Sequence, residues 1–245
     1  MTLADDLRSV KDHRPPTQTI PPLENGDRLT RREFERRYNS MPDLKKAELI
    51  SGIVYMASPV RARKHGKPHA AIIGWLFTYA QANPALDLLD NATDRLPGDN
   101  EPQPDACLRL EQWAGGQSSI TEDDYLEGPP ELIVEIAAST ASYDLHDKKD
   151  LYSRSGVKEY IVWRVNDRAI DWFLQQGDSY QTLSPEPDGI TRSQTFPGLW
   201  LDIQAMLTGD LPTVLKILAQ GMQTEDYQKF QHHLQALTPT PDQQP

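Results

Sequence analysis

The run Glu131-Leu132-Ile133-Val134-Glu135-Ile136-Ala137 follows Gly128-Pro129-Pro130 and reads as a strand carrying a carboxylate inside an apolar stretch. Alternation along a strand puts Glu131, Ile133, Glu135 and Ala137 on one face. Upstream, Gln103-Pro104-Asp105 leads into a second strand-like run, Ala106-Cys107-Leu108-Arg109-Leu110, in which Asp105, Cys107 and Arg109 share a face. If the two strands pair, Asp105 and Glu135 converge on one metal ion, with the Ile136 carbonyl as a third ligand. The alternative is two ordinary surface acids on sheet edges. Glu135 weighs against that, because an acid among apolar residues costs stability unless it is paired or binds a ligand.

Residues 144–155 read as a helix ended by Gly156. At about 100° per residue, Leu145, Leu151 and Tyr152 define its apolar arc, and Lys148 falls near the middle of that arc. An inward lysine is either a structural partner, here of Asp144 four residues earlier, or a catalytic one. Asp105, Glu135 and Lys148 together are what a magnesium-dependent phosphodiesterase needs. Oxygen ligands suit the hard ion, and the lysine offsets phosphate charge or steadies the attacking water.

A further helix is expected over residues 68–82, opened by Pro68, with Ile72, Ile73, Leu76, Tyr79 and Ala80 at helical spacing. His69 falls on its buried side, either as a satisfied core histidine or as a supporting site residue. Arg61, Arg63, Lys64 and Lys67 precede it, and no acid occurs between Leu49 and Leu86. These four cations beside a helix N-terminus suit a phosphate backbone, or else belong to a solvated loop. Glu48, in Ala47-Glu48-Leu49-Ile50, is another acid in an apolar setting, placed to complete the metal shell or to hydrogen-bond His69.

The remaining pattern gives a polar leader over residues 1–26, a helix near 30–38 with Thr30 and Glu33 as a capping box, and two short strands around Ser51-Gly52. Strands are expected at 86–89, 159–165 and 170–174, and a loop over 112–130. Helices follow near 203–207, 213–220 and 225–237, and a proline-broken tail covers 238–245. The fold class is α/β: a central mixed sheet flanked by helices, with extra C-terminal helices. Residues 27–210 form the main domain, and residues 211–237 pack on it.

The chain has 245 residues and a net charge of −11. Residues 87–135 hold 13 acids against Arg95 and Arg109, which accounts for the whole imbalance. The cluster Glu122-Asp123-Asp124 is expected in a solvated loop. No apolar run is long enough to span a membrane, and one cysteine, Cys107, excludes an intrachain disulfide, so a cytoplasmic location is expected. No phosphate-binding loop, dinucleotide fingerprint, nucleophile elbow or cysteine-based zinc site is found.

Several segments, in order, resemble the Uma-type restriction endonuclease family of the PD-(D/E)XK nuclease superfamily. They are Ala47-Glu48-Leu49-Ile50-Ser51-Gly52, His69 in its helix, Gln103-Pro104-Asp105, Val134-Glu135-Ile136, Asp144-x-x-x-Lys148-x-x-x-Tyr152, Ser155-Gly156-Val157-Lys158-Glu159-Tyr160 and Phe196-Pro197-Gly198-Leu199. The resemblance covers about residues 30–210. It implies a restriction-endonuclease-like core, with Mg²⁺ held by Asp105 and Glu135 and manganese as a substitute. The superfamily's Glu-x-Lys would put its lysine at position 137, which is alanine here. The resemblance therefore implies a lysine moved to the next helix, where Lys148 stands. The expected function is a DNA endonuclease. The alternatives are an inactive nuclease-fold protein used for binding or assembly, and a scaffold whose acidic segment meets a basic protein. The terminal helix, with Tyr227, Phe230, Leu234 and Leu237 in one stripe, packs on its own domain or supports a homodimer.

Overall fold

In the computed structural model, which describes residues 20–56, 60–138 and 141–239, the 131–137 run lies inside a six-stranded sheet. The strands, in chain order, are β1 (Ala47–Ile50), β2 (Ile53–Met56), β3 (Leu86–Asp90), β4 (Ala106–Leu110), β5 (Leu132–Ala137), β6 (Glu159–Arg164), β7 (Ala169–Gln176) and β8 (Ser179–Thr182). The central sheet runs β8-β7-β6-β5-β4-β3. Its neighbours are antiparallel except β5 and β6, which are parallel. The mixed sheet of an α/β fold is therefore observed, and β1 with β2 forms a separate hairpin.

The helices are α1 (Arg31–Tyr38), α2 (Lys67–Ala80), α3 (Lys149–Ser155), α4 (Ile203–Thr208), α5 (Leu211–Gly221) and α6 (Glu225–Leu237). One face of the sheet buries Ala106, Leu108, Val134, Ile136, Ile161 and Trp163 together with α2 and the three C-terminal helices. The opposite face carries Cys107, Ile133, Ala137, Tyr160 and Val162 against Leu151 and Tyr152 of α3. Parallel strands need a crossover connection. The helical segment ending in α3 supplies it between β5 and β6, which brings its residues over the face that bears Glu135.

Two helix starts differ from the sequence expectation. The expected 144–155 helix begins at Ala141, and Asp144–Lys148 form a π turn before α3. The basic stretch before α2 is likewise a π turn, Ala62–Gly66, rather than a loop. π turns widen the helix locally and often occur at functional sites.

Of the leader expected over residues 1–26, the structure describes only the part from residue 20 on. Residues 1–19 lie outside the described residues, but Leu23 is buried with Phe34, Leu49 and Val54, and the Gly26 N–H bonds the Val54 carbonyl at 2.8 Å. Residues 240–245 of the expected tail also lie outside the described residues. The capping box at α1 is one-sided: Thr30 accepts from the Glu33 N–H at 3.4 Å, while the Glu33 carboxylate takes Arg36 and Arg37 at 2.7 Å each. The expected 112–130 loop contains Ser119–Ile120 and Leu126–Glu127, which join Asp94–Arg95 in a small sheet. At its exposed tip, Asp123 pairs with Arg95 at 2.9 Å. Among the described residues no helix is long and apolar enough to cross a membrane.

Candidate active site

β4 and β5 pair with Ala106 opposite Val134. Continuing that register by one residue sets Asp105 opposite Glu135 on the face covered by α3. The Ala137 carbonyl accepts from the Val165 N–H at 3.0 Å, so the backbone of residue 137 points toward β6 and that of residue 136 toward β4. The Ile136 N–H is taken by Asp105 Oδ2 at 2.7 Å. Continued two residues beyond its last pair, the register would set Pro104 across from Ile136, and a proline has no N–H to give to the Ile136 carbonyl.

Lys148 reaches the same place from the π turn. Its Nζ donates to Glu135 Oε1 and to Glu48 Oε1, each at 2.8 Å. Glu48 also accepts the Gln103 N–H at 2.8 Å, which ties the β1–β2 hairpin to the segment that carries Asp105. The Tyr152 hydroxyl donates to Glu135 Oε1 at 2.9 Å. Lys148 and Tyr152 thus both hold one carboxylate oxygen and leave Oε2 to face other partners. The structure brings Asp105, Glu135, Lys148 and Glu48 together, all buried at 9% exposure or less.

His69 stands on the other side of Asp105. Its Nε2 lies 3.0 Å from the Asp105 carbonyl and 3.0 Å from Asp90 Oδ1. The expected alternative bond from Glu48 to His69 is replaced by the Lys148 and Gln103 contacts. His65 was not singled out in the sequence, yet its Nε2 meets Asp105 Oδ1 at 3.0 Å and its ring stacks on His69, centroids 5.6 Å apart. Four-residue spacing along a helical segment was the available signal. A helix opened at Pro68 leaves residue 65 outside it, so the spacing does not register in the sequence. Tyr152 follows Lys148 by the same four residues and lies on the apolar arc of its helix. Arg61, Arg63, Lys64 and Lys67 are exposed around His65, and Lys64 Nζ lies 3.0 Å from Asn166 Oδ1.

The electrostatics follow from this crowding. Burial would raise the Asp105 carboxyl, but the His65 hydrogen bond and charge, the Ile136 N–H and Lys46 outweigh it, and the net direction is down. Glu135 is pushed up, by burial first and then by Asp105, Asp144 and Glu48, against the opposing charge of Lys148. For Lys148, burial works against the charged form, and Glu135, Glu48 and Asp144 overcome it, so the ammonium is held well above its usual range. One ammonium serves several acids, and the pocket holds more negative than positive charge.

Among the described residues no three His, Cys, Asp or Glu side chains are grouped to hold a metal by themselves. The donor set fits a hard divalent ion in another way. Two carboxylates and a backbone carbonyl, completed by water, are all oxygen ligands, and magnesium is commonly bound by one or two carboxylates plus water. The acid surplus fits a cation as well. Two other buried acids, Glu159 and Glu131, are satisfied by hydrogen-bond donors of the chain, whereas both oxygens of buried Asp94 and Oε2 of Glu101 meet no hydrogen-bond partner among the described residues. Glu159 accepts from Trp172, Ser193, Gln194 and Thr195, and Glu131 from the N–H groups of Leu110 and Gln117.

The fold is that of an α/β protein with a known structural relative. It is similar to the crystal structure of "a putative nuclease belonging to DUF820" from Anabaena variabilis ATCC 29413, with a TM-score of 0.56 and 13% identity over 71% of this chain and 96% of that one. The model of the Uma2 family, described as "Putative restriction endonuclease", matches residues 31–204, and the chain belongs to that family. No curated protein matches it.

Proposed function

We propose that the chain is a metal-dependent endonuclease that hydrolyses phosphodiester bonds, with DNA as its substrate and Mg²⁺ as its ion. The observation that carries the reading is the Lys148 ammonium held 2.8 Å from Glu135, next to Ile136, whose N–H donates to Asp105 Oδ2 at 2.7 Å. Family membership supports the nuclease class.

Asp105, Glu135 and the Ile136 carbonyl would hold the ion, which when bound supplies Lewis acidity toward a water and a phosphoryl oxygen. The chain's own groups do the rest. Tyr152 and Lys148 fix Glu135 through one oxygen. His65 and the Ile136 N–H fix Asp105. Lys148 has a third N–H beyond its two carboxylate bonds, with which to orient the attacking water or offset charge on the phosphate. The exposed cations of residues 61–67 contact the nucleic-acid backbone beside the pocket.

The test is cleavage of plasmid and single-stranded DNA by the purified chain with Mg²⁺ or Mn²⁺. Cleavage that stops with EDTA and falls at least about a hundredfold in a Lys148→Gln variant that still melts cooperatively above the assay temperature supports the reading. The lysine missing from position 137 favours a second reading, a nuclease fold retained for binding. Tight DNA binding with no cleavage under any metal would select it.

A further inference from the structure

Resting on the nuclease reading, we infer that Tyr143 is a phosphate-contacting residue, its hydroxyl donating to a non-bridging oxygen of the scissile phosphodiester. Tyr143 closes the last turn before the π segment. Its ring lies 5.6 Å from Lys148 Nζ and packs on the Tyr55 ring at a centroid distance of 4.2 Å. The hydroxyl itself is buried, and no hydrogen-bond partner meets it among the described residues. A buried hydroxyl without a partner costs stability, and such groups in native proteins call for an explanation.

Its neighbours make the lack specific. Tyr152, the other phenol against the pocket, does find Glu135 at 2.9 Å. Two carboxylate acceptors, Glu48 and Glu135, stand in the same pocket, and both spend Oε1 on Lys148. Glu48, Glu135 and Lys148 are close enough to act electrostatically on Tyr143, where burial is the larger influence and the net direction is up. The phenol therefore keeps its proton and remains a donor. Lys148, with three N–H groups, spends two of them on the same carboxylates. Two unspent donors of neighbouring residues, one of them cationic, suit an anionic oxygen arriving from outside. In the proposed reaction that oxygen belongs to the phosphate.

The assignment makes an unusual joint prediction for Tyr143→Phe. Removing a hydroxyl that has no partner leaves the free protein's melting temperature unchanged or slightly higher. Binding of a short DNA oligonucleotide in Ca²⁺, where the strand is held without being cut, weakens about tenfold, and cleavage in Mg²⁺ slows by a similar factor. Mn²⁺ affinity measured by calorimetry stays at the wild-type value, because the hydroxyl contacts phosphate and not the ion's water.

A fall of several degrees in melting temperature would overturn the assignment by revealing a structural partner. Lost Mn²⁺ affinity would overturn it by moving the hydroxyl to the metal's hydration shell. Wild-type DNA binding and cleavage in Tyr143→Phe would overturn it while leaving the nuclease reading intact. A wild-type protein that neither binds nor cuts DNA would overturn both, and the two failures are told apart by the wild-type control.

Discussion

Glu101 shows how a single side chain can set the chain's response to pH. It is 5% exposed and belongs to the segment that bonds β1 through Leu49. Burial first, and then the nearby Glu35 carboxylate, push its carboxyl up to about 7, with Arg95 and Arg31 opposing. Its folded-state pKa therefore lies above the unfolded value of about 4.5, and the folded chain holds this proton more tightly. The stability it contributes is present below the unfolded pKa and is lost as pH rises through the folded one. In Glu101→Gln, the fall in melting temperature between about pH 5 and pH 7.5 becomes smaller than in the wild type. Identical pH profiles for the two proteins would contradict this account of Glu101.

Elements explain why some of the site could be read in advance and some could not. Strand alternation is a local rule, so Asp105 and Glu135 could be assigned to faces from sequence, and the observed ladder, which ends one residue short of them at Ala106 and Val134, sets them opposite each other when it is continued. The inward direction of Lys148 follows from helical spacing that survives a π turn over Asp144–Lys148. His65 was hidden because its backbone conformation was hidden: a helical reading begun at Pro68 leaves residue 65 outside any face. Glu48 was noticed as an acid among apolar residues, but its partner is 100 positions away in the chain, and nothing local specifies such a contact. The short strands Ile190–Arg192 and Trp200–Asp202 do not register in the sequence because three residues hold too little alternation.

The element account makes two predictions. Pro104→Ala adds an N–H where the continued register faces the Ile136 carbonyl. It should lower Mn²⁺ affinity about tenfold, as the new donor competes for that oxygen, with the melting temperature unchanged or higher. Unaltered affinity would remove the Ile136 carbonyl from the ligand set. On the far side of the sheet, Gly221 ends α5 with its would-be Cβ 2.3 Å from the Gly198 carbonyl oxygen and 2.8 Å from the Trp200 ring. Gly198 itself has φ +84°, and a Cβ there would lie 2.9 Å from the Gly221 carbonyl oxygen. Gly221→Ala should therefore destabilise the chain by about 3 kcal/mol in a denaturant titration, while the remaining folded protein binds metal normally. A change of less than about 0.5 kcal/mol would mean that the C-terminal helices are not held this closely.

At the scale of the whole molecule, a net charge of −11 coexists with an exposed basic turn at residues 61–67, next to the acid that His65 contacts. The acids of residues 87–135 are spread over several tasks. Asp87 and Glu111 pair with buried Arg109, Asp123 with Arg95, and Glu131 with backbone N–H groups. Asp105 and Glu135 are the pair proposed to hold the ion, in a cluster to which the residue before β4, β5, the π turn and the β1–β2 hairpin each contribute a side chain. The central claim is that this cluster takes one divalent cation. Calorimetric titration of Mn²⁺ into the wild type and Asp105→Asn tests it most directly. The account predicts one site per chain in the wild type and its loss in a variant that still melts cooperatively. No heat of binding in the wild type, or equal binding in both proteins, would contradict it.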